Sequence, residues 1–188
     1  MLSALDVARF FVERANAEAD DNDMTHLKLQ KLCYYAEGFS WAVLGRPLFR
    51  QPLEAWREGP GVREVYNAYR QYGSARITEV QGGGRITDQD ALDIMEAVYD
   101  YYGQFSAWTL RNRTHREPPW LEARPTEGNL RPETMTAFFR TQLGNIDDSS
   151  AVEHEAIQQV LRRSSAFMEG TLRGRDDALA GRVKPIRG

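Results

Sequence analysis

The chain has 188 residues, 41% of them hydrophobic and 27% charged, which is enough for one globular domain with a proper core. A formal net charge of -3 and a pI near 5.7 exclude a whole-protein electrostatic footprint for nucleic acid and leave room only for a local basic patch. Asp6 and Arg9 break up the N-terminus as a secretory signal, and no apolar run approaches the length of a membrane span, so a soluble, cytoplasmic protein is expected.

Ser3, with Asp6 three residues on, reads as a capping box in which Asp replaces the usual Glu or Gln. It opens a helix that places Leu5, Ala8, Phe11, Val12 and Ala15 on one face. The acidic link Glu18 to Asp23 follows; it lacks the glycine and terminal glutamate of an EF-hand loop and reads as a solvated connection. The next stretch, MTHLKLQKLCYYAEGFSWAVLG, carries both helix punctuation marks, Thr25 as N-cap and Gly45 as the C-terminal glycine, with Pro47 beyond. Leu29, Leu32, Cys33, Ala36, Phe39, Val43 and Leu44 form one apolar face. Leu27, Tyr34 and Trp41 form a second seam, interrupted by Lys31 and Gly38. A helix apolar on two sides is sandwiched by neighbours, so this is the expected centre of the domain. The second seam reads as core or as a partner-binding face. Lys28, Lys31 and Tyr35 are the candidates to reach a partner, burying their stems and presenting polar tips. The lone Cys33, on the apolar face, reads as a small buried group and allows no internal disulfide.

Arg46 to Pro52 is a turn that tucks Leu48 and Phe49 into the core. Glu54, Ala55 and Trp56 precede a Gly59-Pro60 break, after which a helix starts near Gly61 with Val62, Val65, Tyr66 and Tyr69 on one side and Gly73 at its end. Residues 76–87 are the one place where a small β hairpin is expected, the alternative being a loop. The triple glycine Gly82 to Gly84 lacks the ending of a phosphate-binding loop. Thr87 is expected to cap a helix burying Ala91, Ile94, Met95, Val98 and Tyr102 and closed by Gly103; a shorter helix runs from Ser106 to Arg113. The Pro118-Pro119-Trp120 segment and Glu122 to Arg131 read as an irregular connection. Pro132 opens a helix with Met135, Phe138, Phe139 and Leu143 inward. A last helix is expected within 146–170, followed at 171–188 by a flexible basic tail; residues 162–188 hold seven Lys or Arg against three acids. The fold class is therefore mainly α, a single compact helical domain around the central long helix.

Chemistry is sparse. His26, His115 and His154 lie far apart, none with a second ligand at metal-binding spacing, and no nucleophile elbow, zinc or paired-cysteine motif occurs. No catalytic residue, metal or cofactor is assigned. His115 is the polar residue of most interest, with Glu117 and Trp120 close by; it reads as a general base or partner contact, or as the fastener of the Pro-Pro-Trp loop. Arg111, Arg113 and Arg116, near Trp108 and Trp120, have the composition of a phosphate contact and equally of a protein interface.

The run from Leu27 to Ala36 (LKLQKLCYYA), the Gly45 to Phe49 turn, Glu54 to Pro60 (EAWREGP), the Val65-Tyr66 pair, and the later Thr114-His115 and Pro119-Trp120 pairs together resemble the Panacea domain. This is the SocA-like or GepA-like family of bacterial and phage-borne antitoxins, and the resemblance covers about residues 3 to 145. Gly61, after the Gly-Pro dipeptide, departs from the apolar residue common there. The resemblance implies an antitoxin that binds a protein toxin without catalysis, either blocking it or acting as an adaptor that delivers it to a ClpXP-type protease. The candidate partner-binding residues are Lys28, Lys31, Tyr35, Trp56, Arg111, Arg113, His115 and Trp120. A DNA-binding regulator resting on the arginine cluster, and an enzyme using His115 with Glu117, are the alternatives.

Overall fold

A computed structural model describes residues 1–18 and 24–144. The expectations for the acidic link beyond Glu18, the helix within 146–170, the basic tail and His154 fall on residues outside these. The described elements are α1 (Ala4–Ala17), α2 (His26–Leu44), β1 (Glu54–Trp56), β2 (Gly59–Gly61), α3 (Arg63–Tyr69), α4 (Gln89–Tyr102), α5 (Ala107–Thr114), α6 (Pro118–Ala123) and α7 (Pro132–Gly144), with short 3₁₀ turns after α3 and α6.

Local signals decide the helix ends. Ser3 and Asp6 form the full capping box of α1: Ser3 Oγ accepts from the Asp6 amide at 3.2 Å, and the Asp6 carboxylate accepts from the Ser3 amide at 2.7 Å. Thr25 caps α2 through the Lys28 amide, and Gly45 ends it in the left-handed conformation at φ 65°. Every residue of α2 from Lys28 to Ser40 is buried, and the helix packs against α1, α3, α4, α5, α7 and β2. The two-sided apolar pattern had this cause: neighbours cover it all round. Gly38 permits the closest of these approaches, since a Cβ there would lie 2.1 Å from the Phe139 ring of α7.

Four expectations are corrected. The hairpin is not at 76–87 but at β1 and β2, paired antiparallel with Trp56 opposite Gly59, whose φ of 93° turns the chain. A two-stranded ribbon tolerates Pro60, which has no N–H to give to a ladder. Residues 76–87 instead lie against other elements, with Arg76 bridged to Thr25, Ile77 donating to the Met24 carbonyl at 2.9 Å, and the Gln81 amide donating to Tyr69 Oη. Tyr66 does not share the buried side of α3 with Val62, Val65 and Tyr69; it is 37% exposed. The cap of α4 is Asp88, one residue later than Thr87, accepting from the Ala91 amide at 3.2 Å. Finally, Pro118-Pro119-Trp120 starts helix α6, because a proline at the first helical position has its φ preset and no N–H left over.

Candidate functional site

Several polar side chains of α2 point inward and anchor the segments packed around the helix. Gln30 brackets Val62, its Oε1 accepting from the amide at 2.7 Å and its Nε2 donating to the carbonyl at 3.3 Å. Lys31 Nζ donates to the Pro60 carbonyl at 2.9 Å. Glu37 accepts from the Leu48 amide at 2.8 Å, the Phe49 amide at 3.3 Å and Trp41 Nε1 at 2.7 Å, while Ser40 Oγ donates to the Arg46 carbonyl. Tyr34 and Tyr35 donate to the two oxygens of Glu117 at 2.7 and 2.9 Å, fixing the residue that precedes α6. Buried turns must satisfy their backbone groups somewhere, and here one helix supplies the partners.

Burial sets the protonation of this seam. It pushes the Glu37 carboxyl up to about 7 against the pull of its three donors, and it raises Glu117 against its two tyrosines. Burial likewise lowers Lys31 to about 7, opposed by Glu58 and Glu117. Both tyrosine hydroxyls are held well above their ordinary range by burial and by the adjacent Glu117. Gly59 is needed beside this lysine, because a Cβ there would lie 2.7 Å from both Lys31 Nζ and Thr114 Oγ1.

On the other side of Lys31 the surface is apolar. A cleft of about 390 Å³ is lined by His26 and Leu27 of α2, Trp56 and Arg57 of the hairpin, Tyr66 of α3 and Trp108 of α5. Tyr66 packs edge-on to His26 at 5.1 Å and to Trp56 at 5.6 Å between ring centroids. Arg63 lies over Trp56, and Arg111 over Trp108. Trp108 is the most exposed ring of the group, at 62%.

The residues singled out in the sequence separate into two sets. Lys28, Lys31 and Tyr35 are buried, Lys31 only 1% exposed, and the tips of Lys31 and Tyr35 serve the interior instead of facing outward. Tyr35 also stacks on Tyr102 at 3.8 Å. Trp56, Arg111, Arg113, His115 and Trp120 are half-buried around the hairpin and α5–α6. His115 stacks on Trp120 at 4.2 Å and 9°, and Trp120 Nε1 donates to the Trp56 carbonyl at 2.9 Å, so the pair ties α6 to the hairpin. Glu117 does not tune this imidazole, being engaged by the tyrosines. Burial, with Arg111 and Lys31 adding to it, lowers the affinity of His115 for a proton. Its Nε2 is buried without a hydrogen-bond partner among the described residues. The arginines diverge, Arg111 pairing with Glu58 at 3.0 Å and Arg113 lying over Phe105 at 4.1 Å. Sequence reasoning missed Gln30 and Glu37 as anchors and Leu27, Tyr66 and Trp108 as walls of one groove. The available signal for the anchors was the presence of Gln, Lys and Glu in a helix apolar on both sides.

A central helix whose polar residues anchor the surrounding segments, with an open aromatic groove at its start, defines a mainly helical domain with a candidate binding groove. The family model described as "Antitoxin SocA-like, Panacea domain" matches residues 29–121, and that segment is similar to the SocA-like antitoxin family. It is 32% identical over 126 residues to "Antitoxin SocA" of Caulobacter vibrioides (strain NA1000 / CB15N), a match covering 61% of this chain and 66% of that protein. No solved structure gives a significant match.

Proposed function

We propose that the protein is an antitoxin that neutralises a cognate protein toxin by forming a stoichiometric complex with it in the cytoplasm, without catalysis of its own. The observation that carries this reading is the family match over residues 29–121, which runs from the central helix through the hairpin and into α6. The geometry supports a binding role: the inward-facing polar groups of Gln30, Lys31, Glu37 and Glu117 are spent on the protein's own backbone and hydroxyls. What the surface offers is an aromatic groove.

Co-expression with the protein encoded by the adjacent gene tests the reading. The expected outcome is that the neighbour alone arrests growth, and that the pair copurifies and grows. A harmless neighbour that does not copurify would remove the antitoxin reading. Following the toxin's half-life with and without ClpXP then separates the two mechanisms, a lifetime shortened only when antitoxin and protease are both present meaning delivery, an unchanged one meaning direct blocking.

A further inference from the structure

We infer that the aromatic groove is the toxin's docking site, and that it takes an amphipathic segment carrying apolar side chains for Trp56, Tyr66 and Trp108 and a carboxylate for Arg57. This rests on the antitoxin reading above.

The four tryptophans show why this surface differs from the rest. Trp41 donates its indole N–H to Glu37, Trp56 to Glu54 at 2.8 Å and Trp120 to the Trp56 carbonyl. The Trp108 indole N–H has no such partner among the described residues, and its ring is the most exposed of the groove. A buried Trp or Tyr N–H or O–H finds a partner, and exposed rings flanked by arginines are the composition of interface anchors. Trp56 and Tyr66 are already held edge to face, so these walls are set before a partner arrives and ordering them costs little on binding.

Charge selects the occupant. Three arginines stand on the rim, Arg57, Arg63 and Arg111, against two carboxylates, Glu54 and Glu58. Arg63 is paired with Glu54, and Arg111 with Glu58. Arg57, its side chain 88% exposed, has only a loose contact of 3.6 Å to the same Glu58. One positive charge is thus left over beside an apolar cleft, on a protein whose net charge is -3. An acidic residue flanking apolar ones meets both features. Single-stranded nucleic acid fits less well. Its bases need open ring faces, whereas His26, Tyr66 and Trp56 contact one another edge-on and Arg63 covers Trp56.

The test titrates the purified product of the adjacent gene, and separately an oligothymidylate, against the full chain and three variants: Trp108→Ala, Arg57→Glu and, outside the groove, Arg140→Glu. Trp108→Ala is expected to weaken toxin binding on the order of 30-fold. Arg57→Glu should weaken it less and mostly at low salt, and Arg140→Glu should leave it unchanged. Circular dichroism should show all three folded. Wild-type binding with both groove variants unchanged would place the toxin elsewhere and overturn this inference while the antitoxin reading stands. Oligothymidylate binding that Trp108→Ala abolishes, with toxin binding intact, would overturn it in favour of nucleic acid. A wild-type chain that neither binds nor neutralises the neighbour would remove both.

Discussion

The C-terminal half of α2 and the groove beside its N-terminal end use the same kinds of residue, aromatic and ionisable, to opposite ends. Around Glu37, one carboxylate takes three donors, Trp41 is among them, and the Phe139 ring closes over Gly38. Around Leu27, the rings of Trp56, Tyr66 and Trp108 stand about an open cleft, and Arg57 has only a loose 3.6 Å contact to Glu58, which also pairs with Arg111. The lesson is that a side chain whose polar atoms and faces are all spent internally contributes to stability, whereas one left incomplete is available to a partner. Mutations should therefore separate the two regions, costing stability at the first and binding at the second.

Glu37→Leu should be the most damaging change. It leaves the Leu48 and Phe49 amides and the Trp41 indole buried without an acceptor, and a loss of about 4 kcal/mol is expected by urea denaturation. Gly38→Ala should cost about 3 kcal/mol, because the added methyl collides with the Phe139 ring and α7 must shift; a thermal midpoint equal to wild type would show that this packing is loose.

Tyr34→Phe removes one of the two donors to the buried Glu117 and should cost about 2 kcal/mol. If Tyr35→Phe behaves alike and the double variant is additive, the two bonds are independent; coupling would mark a true network.

Glu37→Gln is gentler and tests protonation. Because the folded-state value is raised to about 7 from 4.5, the folded chain holds a proton that the unfolded chain has lost between those values. This contribution to stability is complete below about pH 4.5 and is gone above about 7, with a slope of up to about 1.4 kcal/mol per pH unit between them. The difference in stability between wild type and Glu37→Gln should therefore change across that window and flatten outside it; a difference constant with pH would mean that Glu37 stays ionised. Trp108→Ala should be the mildest of all for folding, within about 0.5 kcal/mol of wild type, with its effect confined to partner binding.

The ends of α1 and α2 were legible in the chain because each cap is a contact within four residues: Ser3 with Asp6, Thr25 with Lys28, and Gly45 adopting a conformation no other residue takes as easily. The burial of α2 on all sides was legible too, since two apolar seams on one helix have no other use. Tyr66 shows where periodicity ran out. It shares the spacing of Val62, Val65 and Tyr69, yet no described element covers its ring fully, and helical phase says nothing about where a neighbour ends. The same holds for the hairpin: the Gly-Pro dipeptide announced a break at Gly59 but not that Trp56 would pair across it.

What only the tertiary structure decided is the destination of each polar side chain on α2. Glu37 finds its backbone partners 11 and 12 positions along, and Tyr34 and Tyr35 reach Glu117 across 83 and 82. Sequence alone set which residues could cap, break or bury a helix, because those choices depend on atoms a turn apart. Which lysine and glutamates would turn inward, and which tryptophan would be left facing solvent, depended on how the helices packed, because a hydrogen bond needs an atom within about 3 Å and only the folded chain brings one there.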